Sequence, residues 1–393
     1  MNMNNKNWVS VWGNAVSIAE HHPEAYAKYI TLRYPVYIPF DGDTLRFTFD
    51  NYCGSEAVTV TRATVSAATS PVYEKMPLAC PCKKETICDI TFSKNESVTM
   101  EAHQTTVSDP VSFPVKKGMT LTVSLYFADF TLMQSAVLIT GPLSKGFFSL
   151  GDQTHADALP MDTTKTTNWF YFLSNIELMT AEENHTVICY GDSITAGAWP
   201  DYLTLLARQN PDNHTAFIRR ATSGSRVLRQ YECITYDSYG LKGTNRFPHE
   251  IPTTGADTVI IQQGINDIIH PVGIETNPFR PMSDLPTAKE LIDGYRYYIE
   301  EAKKSHLKVY MGTLLPIFGW RTYATFRDDL RNELNAWIRS AKEIDGCIDF
   351  DLALRGNENP SAFREGFDSG DHLHPSSKAY QAMAECAYEV LQR

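Results

Sequence analysis

The sequence predicts an α/β protein with an all-β module followed by a doubly wound α/β domain. Two observations predict this fold class. The first half alternates polar and apolar residues with a period of two, and the second half instead carries short continuous apolar runs separated by helical patterns. Alternation is typical of antiparallel strands with one buried face, whereas continuous runs suit strands buried on both faces of a parallel sheet.

The first half is predicted to form a β-sandwich or jelly roll. Clear alternation occurs at residues 44–49, 57–61 and 120–127, and Gly, Pro, Asn and Asp separate the runs. No long helical pattern lies between residues 40 and 150. Many short strands without helices are typical of these folds, so we assign residues 1–183 to a β-sandwich or jelly-roll-like module.

The second half is predicted to alternate strands with helices. The clearest helix has apolar residues at i, i+3, i+4 and i+7 from Ala288 to Ala302, and a later one is capped by Ser376 or Ser377. This alternation predicts a doubly wound α/β domain over 184–393, with the boundary in the polar stretch 180–185. The predicted strands are residues 186–190, 215–218, 257–262, 307–311 and 347–350, and the other helices span residues 326–342 and 376–391.

Composition and charge exclude several classes of protein. Apolar residues make up 43% and the net charge is −11, without the basic footprint of a nucleic-acid binder. No stretch approaches the roughly 20 apolar residues of a membrane span, and the N-terminal sequence lacks the apolar core of a secretory signal. We therefore expect a cytoplasmic protein with neither nucleic acid nor membrane as a partner; the sequence does not indicate an oligomeric state.

The cysteines are expected to be reduced thiols rather than disulfides or metal ligands. Intracellular chains of this size keep their thiols reduced. Cys80, Cys82 and Cys88 are close together in the sequence, but no fourth ligand lies nearby and no paired C-x-x-C accompanies them. We therefore predict no metal site.

The residues after each predicted strand are the candidates for chemistry, because ligands of an open α/β sheet bind beyond the carboxyl ends of its strands. Ser193 follows the first strand in Gly191-Asp-Ser-Ile-Thr195, where it either caps the next helix or acts as a nucleophile activated by a base. Gly224 follows the second strand and Asn266 the third. A close backbone N–H and a side-chain amide can both donate to an oxyanion, although each residue also fits an ordinary turn.

The general base is expected in the segment Asp368-Ser-Gly-Asp-His-Leu-His-Pro375. A catalytic histidine needs a carboxylate that fixes its tautomer and stabilises the imidazolium. Asp371 and His374, three residues apart, can supply both groups, and Asp368 and His372 are the rival assignments. Pro375 favours His374, because a proline at this place starts the last helix and fixes the loop.

The four blocks, taken in order, resemble the SGNH (GDSL-type) hydrolase superfamily. They are Gly191-Asp192-Ser193, Gly224, Gly264-x-Asn266-Asp267 and Asp371-x-x-His374. The β-rich first half is similar to the N-terminal module of two-domain bacterial GDSL esterases. The resemblance implies a flavodoxin-like three-layer α/β/α catalytic domain, Ser193 as nucleophile, His374 as base and Asp371 as its orienting carboxylate. It also implies an oxyanion hole made by the N–H groups of Ser193 and Gly224 and the side chain of Asn266.

The resemblance implies ester hydrolysis, and aromatic residues near the blocks suggest the substrate. Trp199 follows the nucleophile, and Phe318 and Trp320 follow the fourth strand, where they can wall a small acyl pocket or stack on a sugar unless they are core residues. We expect a short-chain acyl ester, such as an acetyl group on a carbohydrate, cleaved through an acyl-enzyme without metal or organic cofactor. The alternatives are a thioesterase or transacylase at the same site, or a non-catalytic carbohydrate-binding protein.

Overall fold

The computed structural model describes residues 6–19 and 25–392 and divides the chain into two compact units. The first comprises Met1–Thr186 with Pro211–Ile218, and the second comprises Val187–Asn210 with Arg219–Arg393. The predicted boundary at residues 183 and 184 lies close to the first of these transitions. The segment Pro211–Ile218 is the part that we assigned to the α/β domain and that the structure places with the first unit.

The first unit is built from short strands. They are β1 (Lys6–Gly13), β2 (Ser17–Ile18), β3 (Tyr26–Ala27), β4 (Ile30–Tyr37), β5 (Gly42–Asp50), β6 (Val58–Val60), β7 (Arg62–Ala67), β8 (Cys88–Ile90), β9 (Val98–Met100), β10 (Thr105–Val107), β11 (Val111–Val115), β12 (Thr120–Phe127), β13 (Thr131–Leu132), β14 (Ser135–Leu138), β15 (Gly146–Leu150), β16 (Lys165–Thr167), β17 (Trp169–Tyr171) and β18 (Leu173–Ala181).

Two larger antiparallel sheets organise these strands. One has the order β1-β18-β5-β10 with β11 also paired to β5, and the other has the order β16-β15-β4-β12-β7-β8. Phe127 at the end of β12 packs on Phe172 next to β18, with ring centroids 5.3 Å apart, so apolar side chains join the two sheets. The predicted β-rich first half is thereby confirmed.

Strand β12 differs from the expected half-exposed strand, because all of its residues are buried. Its polar residues form hydrogen bonds inside the module instead of facing water, and one of them meets a buried guanidinium. Ser124 Oγ accepts a hydrogen bond of 2.9 Å from Arg33 Nε, and Thr122 shares one of 2.6 Å with Ser66. Arg33 also donates to the carbonyls of Cys80, Gln153 and Ala156, which satisfies its charge inside the module.

The second sheet confirms the predicted α/β fold. Its strands are β19 (His185–Gly191), β20 (Thr215–Ala221), β21 (Ala256–Gln262), β22 (Lys308–Gly312) and β23 (Gly346–Ile348), in the order β20-β19-β21-β22-β23. Counted from β19, this is the order 2-1-3-4-5 of flavodoxin-like sheets. The pairs β21–β22 and β22–β23 are parallel, and most residues of these strands are buried.

Helices connect these strands. They are α1 (Ser193–Ala196), α2 (Trp199–Arg208), α3 (Gly243–Glu250), α4 (Ile265–Ile269), α5 (Ala288–Lys304), α6 (Thr325–Ser340), α7 (Phe350–Leu354) and α8 (Ser377–Leu391), with short 3₁₀ turns at Lys84–Thr86, Asp237–Tyr239 and Met282–Asp284. Helix α8 contacts α2 and α7, and α5 contacts α3 and α6, as expected when helices cover both faces of a sheet.

Helix α5 shows why the sequence pattern is reliable here. Thr287 and Glu290 form a reciprocal capping box at its start, which satisfies two free N–H groups of the first turn. Its buried side chains are those of the predicted apolar stripe, including Leu291, Tyr295 and Ile299. Ser376 is the cap of α8, since its Oγ accepts from the N–H of Ala379.

Candidate active site

The turn between β19 and α1 holds Ser193 at the first position of a helix. Gly191 makes this turn possible, because a Cβ there would lie 2.3 Å from the carbonyl oxygen of Gln262. Asp192 caps α1 by accepting a hydrogen bond of 3.0 Å from the N–H of Ile194. Burial raises the pKa of Asp192 to about 7, so this carboxyl group is partly protonated near neutral pH.

The structure brings Ser193, His374 and Asp371 into one line of hydrogen bonds. His374 Nε2 lies 2.8 Å from Ser193 Oγ, and His374 Nδ1 lies 2.6 Å from Asp371 Oδ2. The serine and the histidine are 181 positions apart in the chain, so only the fold can bring them together. This is the geometry in which an imidazole can take a proton from a hydroxyl while a carboxylate holds its other nitrogen.

Asp371 is held in its charged form. Its Oδ1 accepts hydrogen bonds from the N–H groups of Leu373 at 3.0 Å and His374 at 2.8 Å, and from Ser369 Oγ at 3.1 Å. Partial burial opposes the charge, but the hydrogen bonds from His374 and Leu373 outweigh it and lower the pKa of Asp371 to about 2. The carboxylate is therefore available as the negative partner of His374 at any ordinary pH.

The rival residues form a second pair on the same loop. His372 Nδ1 lies 2.5 Å from Asp368 Oδ2, and Asp368 Oδ1 accepts from the N–H groups of Gly370 and His372. Within residues 6–19 and 25–392, no hydrogen bond joins His372 to Ser193. Of the two histidines, only His374 is placed to act on the serine.

Hydrogen bonds connect the second block to the end of β19 and the third block to the second. The N–H of Thr222 donates to the carbonyl of Gly191 at 3.1 Å, and Asn266 Nδ2 donates to the carbonyl of Ser225 at 3.1 Å. Gly224 has a φ of +78°, and a Cβ there would lie 2.2 Å from the ring of Tyr239. A glycine is thus required at this position. Asn266 has a second amide hydrogen beyond the one that it gives to Ser225.

Two supporting residues were not predicted from the sequence. Buried Asp267 accepts hydrogen bonds from the N–H groups of Val227 at 2.8 Å and Leu228 at 3.1 Å, and burial raises its pKa to about 6. Arg246 donates to the carbonyl of Gly191 at 2.8 Å. Asp267 directly follows Asn266 in the third block, which was a usable signal, whereas nothing in the sequence around Arg246 pointed to the turn.

The expected substrate-binding role of Trp199 is wrong. Its side chain is 0% exposed, donates its indole N–H to Thr195 Oγ1 at 3.3 Å and packs on Phe350. Trp199 begins α2 and lies on the same helix face as Leu203 and Ala207, which are also buried. It therefore belongs to the core of the second unit.

Phe318 and Trp320 lie on the loop after β22, as predicted. Phe318 is 47% exposed and meets Tyr323 edge to face, with ring centroids 5.1 Å apart. Trp320 is half-buried, and the guanidinium of Arg321 lies over its ring at 4.6 Å. Gly319, between these two aromatic residues, lies against the ring of His372, so the loop borders the segment that carries Asp371 and His374. Contact with a substrate remains a prediction for both aromatic residues.

Groups of metal-binding side chains and helices that could span a membrane are absent from the described part of the chain. There, no group of three or more His, Cys, Asp or Glu side chains could hold a metal ion, and the eight cysteines are free thiols. None of the helices described has the length and apolar character needed to cross a membrane.

Comparisons with known proteins concern this half of the chain. Residues 189–382 match the model of the GDSL-like Lipase/Acylhydrolase family. No curated protein matches the chain.

Several solved structures resemble the chain over about half its length. A GDSL-like lipase from Bacteroides thetaiotaomicron VPI-5482 is 20% identical, over 54% of this chain and 89% of that one, with a TM-score of 0.40. A variant of an acetyl xylan esterase from Geobacillus stearothermophilus is 17% identical, over 53% and 95%, with a TM-score of 0.40. A member of the lipolytic protein G-D-S-L family from Veillonella parvula DSM 2008 is 18% identical, over 53% and 99%, with a TM-score of 0.35.

Proposed function

The chain belongs, through residues 189–382, to the GDSL-like lipase/acylhydrolase family, and we propose that it hydrolyses short-chain acyl esters with Ser193, His374 and Asp371 as its catalytic triad. Membership of this family makes the protein a carboxylic ester hydrolase of the SGNH superfamily. The observation that carries the proposed triad is the pair of hydrogen bonds at His374, 2.8 Å to Ser193 Oγ and 2.6 Å to Asp371 Oδ2.

The proposed reaction is a two-step acyl transfer. Ser193 Oγ attacks the ester carbonyl while His374 Nε2 takes the hydroxyl proton, and a C–O bond to the serine forms. The tetrahedral intermediate then expels the alcohol, which receives that proton from His374, and leaves an acyl-serine. Water attacks the acyl group by the same route, so the acid is released and the serine regains its proton.

The negative charge of the intermediate is assigned to three donors. They are the N–H groups of Ser193 and Gly224 and the side-chain amide of Asn266. The Ser193 N–H lies at the start of α1, where helix N–H groups are free to face an anion. The bonds of Thr222 to Gly191 and of Asn266 to Ser225 support the proximity of the three blocks. One well-placed donor of this kind contributes about 3 kcal/mol of transition-state stabilisation.

We assign a small acyl group on a polar alcohol, such as an acetylated sugar, as the substrate. The exposed ring of Phe318 beside the catalytic segment offers a surface on which a sugar can stack. Trp199 no longer contributes to this assignment, since it is buried.

The test is a substrate panel on the purified full chain. It compares 4-nitrophenyl acetate, butyrate and octanoate, an acetylated methyl glucoside and an acetyl thioester, with Ser193→Ala as the control. We expect the acetate and the acetylated sugar to give the highest kcat/KM and the control to be inactive. A preference for octanoate contradicts the short-acyl assignment, and a preference for the thioester favours a thioesterase. No turnover of any member by a folded protein favours a binding module.

A further inference from the structure

Arg280 is a buried arginine with no partner for its charge. The residue is 8% exposed, and its Nε is enclosed without a hydrogen-bond acceptor. Its guanidinium makes no hydrogen bond or ion pair with any residue in the described parts of the chain. The other buried arginines donate to a carboxylate, a carbonyl or a hydroxyl; they are Arg33, Arg219, Arg220, Arg226, Arg246, Arg327 and Arg331.

Aromatic rings surround Arg280 but do not neutralise it. Its guanidinium lies over Tyr236 at 4.5 Å and Tyr231 at 5.9 Å from the ring centroids. Cation–π contacts stabilise a charge by about 0.5–2 kcal/mol, whereas removing an ion from water costs several kcal/mol. Because only Nε of Arg280 is enclosed, the two terminal nitrogens are open to solvent, where an anion can reach them.

Two buried or half-buried carboxylates of this region have other partners. Asp284 is paired with Arg226 at 3.2 Å and Arg229 at 3.3 Å, and Asp267 accepts from backbone N–H groups. His270 is uncharged, because burial and the positive charges of Arg280, Arg226 and Arg321 hold its pKa well below the ordinary value. Three positively charged side chains, Arg280, Arg226 and Arg321, therefore act on His270 in a chain whose net charge is −11.

The cluster around Arg280 adjoins the proposed oxyanion hole. The ring of Tyr239 covers Gly224 and lies 5.6 Å from Tyr236 and 5.3 Å from His270, measured between ring centroids. His270 follows Asn266 by one helical turn, and its N–H donates to the Asn266 carbonyl at 3.2 Å. A cavity of about 580 Å³, within the size range of small-molecule sites, is lined by Tyr231 and by Phe279 and Pro281, the residues on either side of Arg280, but not by Arg280 itself.

We propose that Arg280 binds a carboxylate of the substrate, so that the preferred ester carries a negative charge near its scissile bond. A guanidinium can give a carboxylate two parallel N–H hydrogen bonds, and one unpartnered cation matches one carboxylate. The carboxylate belongs either to the acyl group, as in a dicarboxylic half-ester, or to the alcohol, as in an acetylated sugar acid. This inference rests on the proposed esterase function.

Matched pairs of esters test the proposal and distinguish the two positions of the carboxylate. Mono-4-nitrophenyl succinate against 4-nitrophenyl butyrate tests the acyl side, and an acetylated methyl glucuronide against the acetylated methyl glucoside tests the alcohol side. We expect the wild type to have the higher kcat/KM for the charged member of one pair, and added NaCl to reduce that preference. Equal kcat/KM within both pairs overturns the proposal.

Variants assign the preference to Arg280. Arg280→Gln should lower the ratio of charged to neutral kcat/KM on the order of 10- to 100-fold, and Arg280→Lys should restore part of it. The matched control is Arg296→Gln, since Arg296 also lies over an aromatic ring but has carboxylate partners, Asp293 and Glu343. An unchanged ratio in Arg280→Gln overturns the proposal; if that variant does not fold, the wild-type preference and its salt dependence decide.

Failure of the proposed function has a different signature. If no ester in either pair is hydrolysed by the folded wild type, the esterase assignment has failed. The carboxylate site is then judged by calorimetric titration of succinate and methyl glucuronide into the wild type and Arg280→Gln. Weaker binding by the variant supports the site, and no binding or equal binding by both proteins overturns it.

Discussion

At the scale of single residues, the loop from Asp368 to His374 presents two carboxylate–histidine pairs with similar geometry. In both pairs the Nδ1 of the histidine lies within hydrogen-bond distance of a carboxylate oxygen, but the rest of the ring has different surroundings. Nε2 of His374 lies 2.8 Å from Ser193 Oγ, whereas Cγ, Cδ2 and Nδ1 of the His372 ring lie beside Gly319 and no described hydrogen bond joins His372 to Ser193. The loop thus contains its own internal control for the catalytic assignment.

Asp371→Asn should lower kcat on the order of 1,000- to 10,000-fold, because an amide cannot stabilise the imidazolium of His374. Asp368→Asn keeps the acceptor for the loop N–H groups and should leave kcat within a few-fold of the wild type. Since the pKa of Asp371 is about 2, its carboxylate stays charged above pH 4, so protonation of Asp371 itself should add no pH dependence to the wild-type kcat from pH 5 to pH 9. Steady-state kinetics on both variants check this; an equal loss in both would contradict the assignment.

Asn266→Ala should lower kcat on the order of 100-fold with little change in KM, since a donor to the oxyanion acts in the transition state. Asn332→Ala is the matched control, because Asn332 is exposed on α6. An Asn266→Ala enzyme with wild-type kcat would remove this residue from the oxyanion hole. Thermal melting of the variant shows whether the lost bond to Ser225 also matters for stability.

Residue identity predicted the three side chains that the structure brings into hydrogen-bond contact better than it predicted the places of the aromatic ones. Ser193, Asp371 and His374 have a chemistry that few other residues share, so their order along the chain was informative. A tryptophan serves equally well in a core and in a binding site. In the sequence, only the spacing of Trp199 with Leu203 and Ala207, which places all three on one helix face, indicated that its side chain is buried.

At the scale of elements, the turn after β20 combines a positive φ with a close contact. Gly224→Ala should destabilise the protein by about 1–3 kcal/mol more than Gly366→Ala, because both positions have a φ near +78° but only the first would place a Cβ against Tyr239. Urea unfolding of the two variants measures the difference. Adding Tyr239→Ala to Gly224→Ala should recover part of the loss; equal destabilisation at the two glycines would contradict the steric account.

Elements with a simple burial pattern were predictable, and those with buried polar networks were not. The strands β19 to β23 and the helix α5 occur where the periodicity placed them. The alternation in β12 predicted one face exposed to water, but its polar side chains are buried and bond to Arg33, Ser66 and the backbone of Val72. A pattern of polar residues does not reveal whether water or a buried cation satisfies them.

At the scale of the whole molecule, the two compact units do not follow the chain in simple succession. The segment Pro211–Ile218 lies with the first unit, where Lys117 Nζ donates to the carbonyls of Pro211 at 2.6 Å and Asn213 at 3.2 Å. Thr186 Oγ1 also donates to the carbonyl of Ser10 at 2.7 Å. A domain boundary predicted from composition alone cannot show that a later segment, Pro211–Ile218, belongs to the first unit.

A fragment of residues 184–393 should therefore be less stable than the full chain. The cut removes the partners of Thr186 and of the segment Pro211–Ile218, which leaves their polar groups and apolar surface uncovered. Differential scanning fluorimetry of the fragment and the full chain, together with kcat/KM for 4-nitrophenyl acetate, measures the effect. A fragment as stable and active as the full chain would mean that the domain is independent of the first unit.

The measurement that tests the central claim most directly is covalent labelling with a fluorophosphonate followed by peptide mass mapping. We expect one phosphonyl group per chain on Ser193, no adduct in Ser193→Ala and slow labelling in His374→Ala, because the serine is nucleophilic only when His374 takes its proton. A folded wild type that stays unlabelled at Ser193, or labels as fast without His374, would contradict the proposed triad.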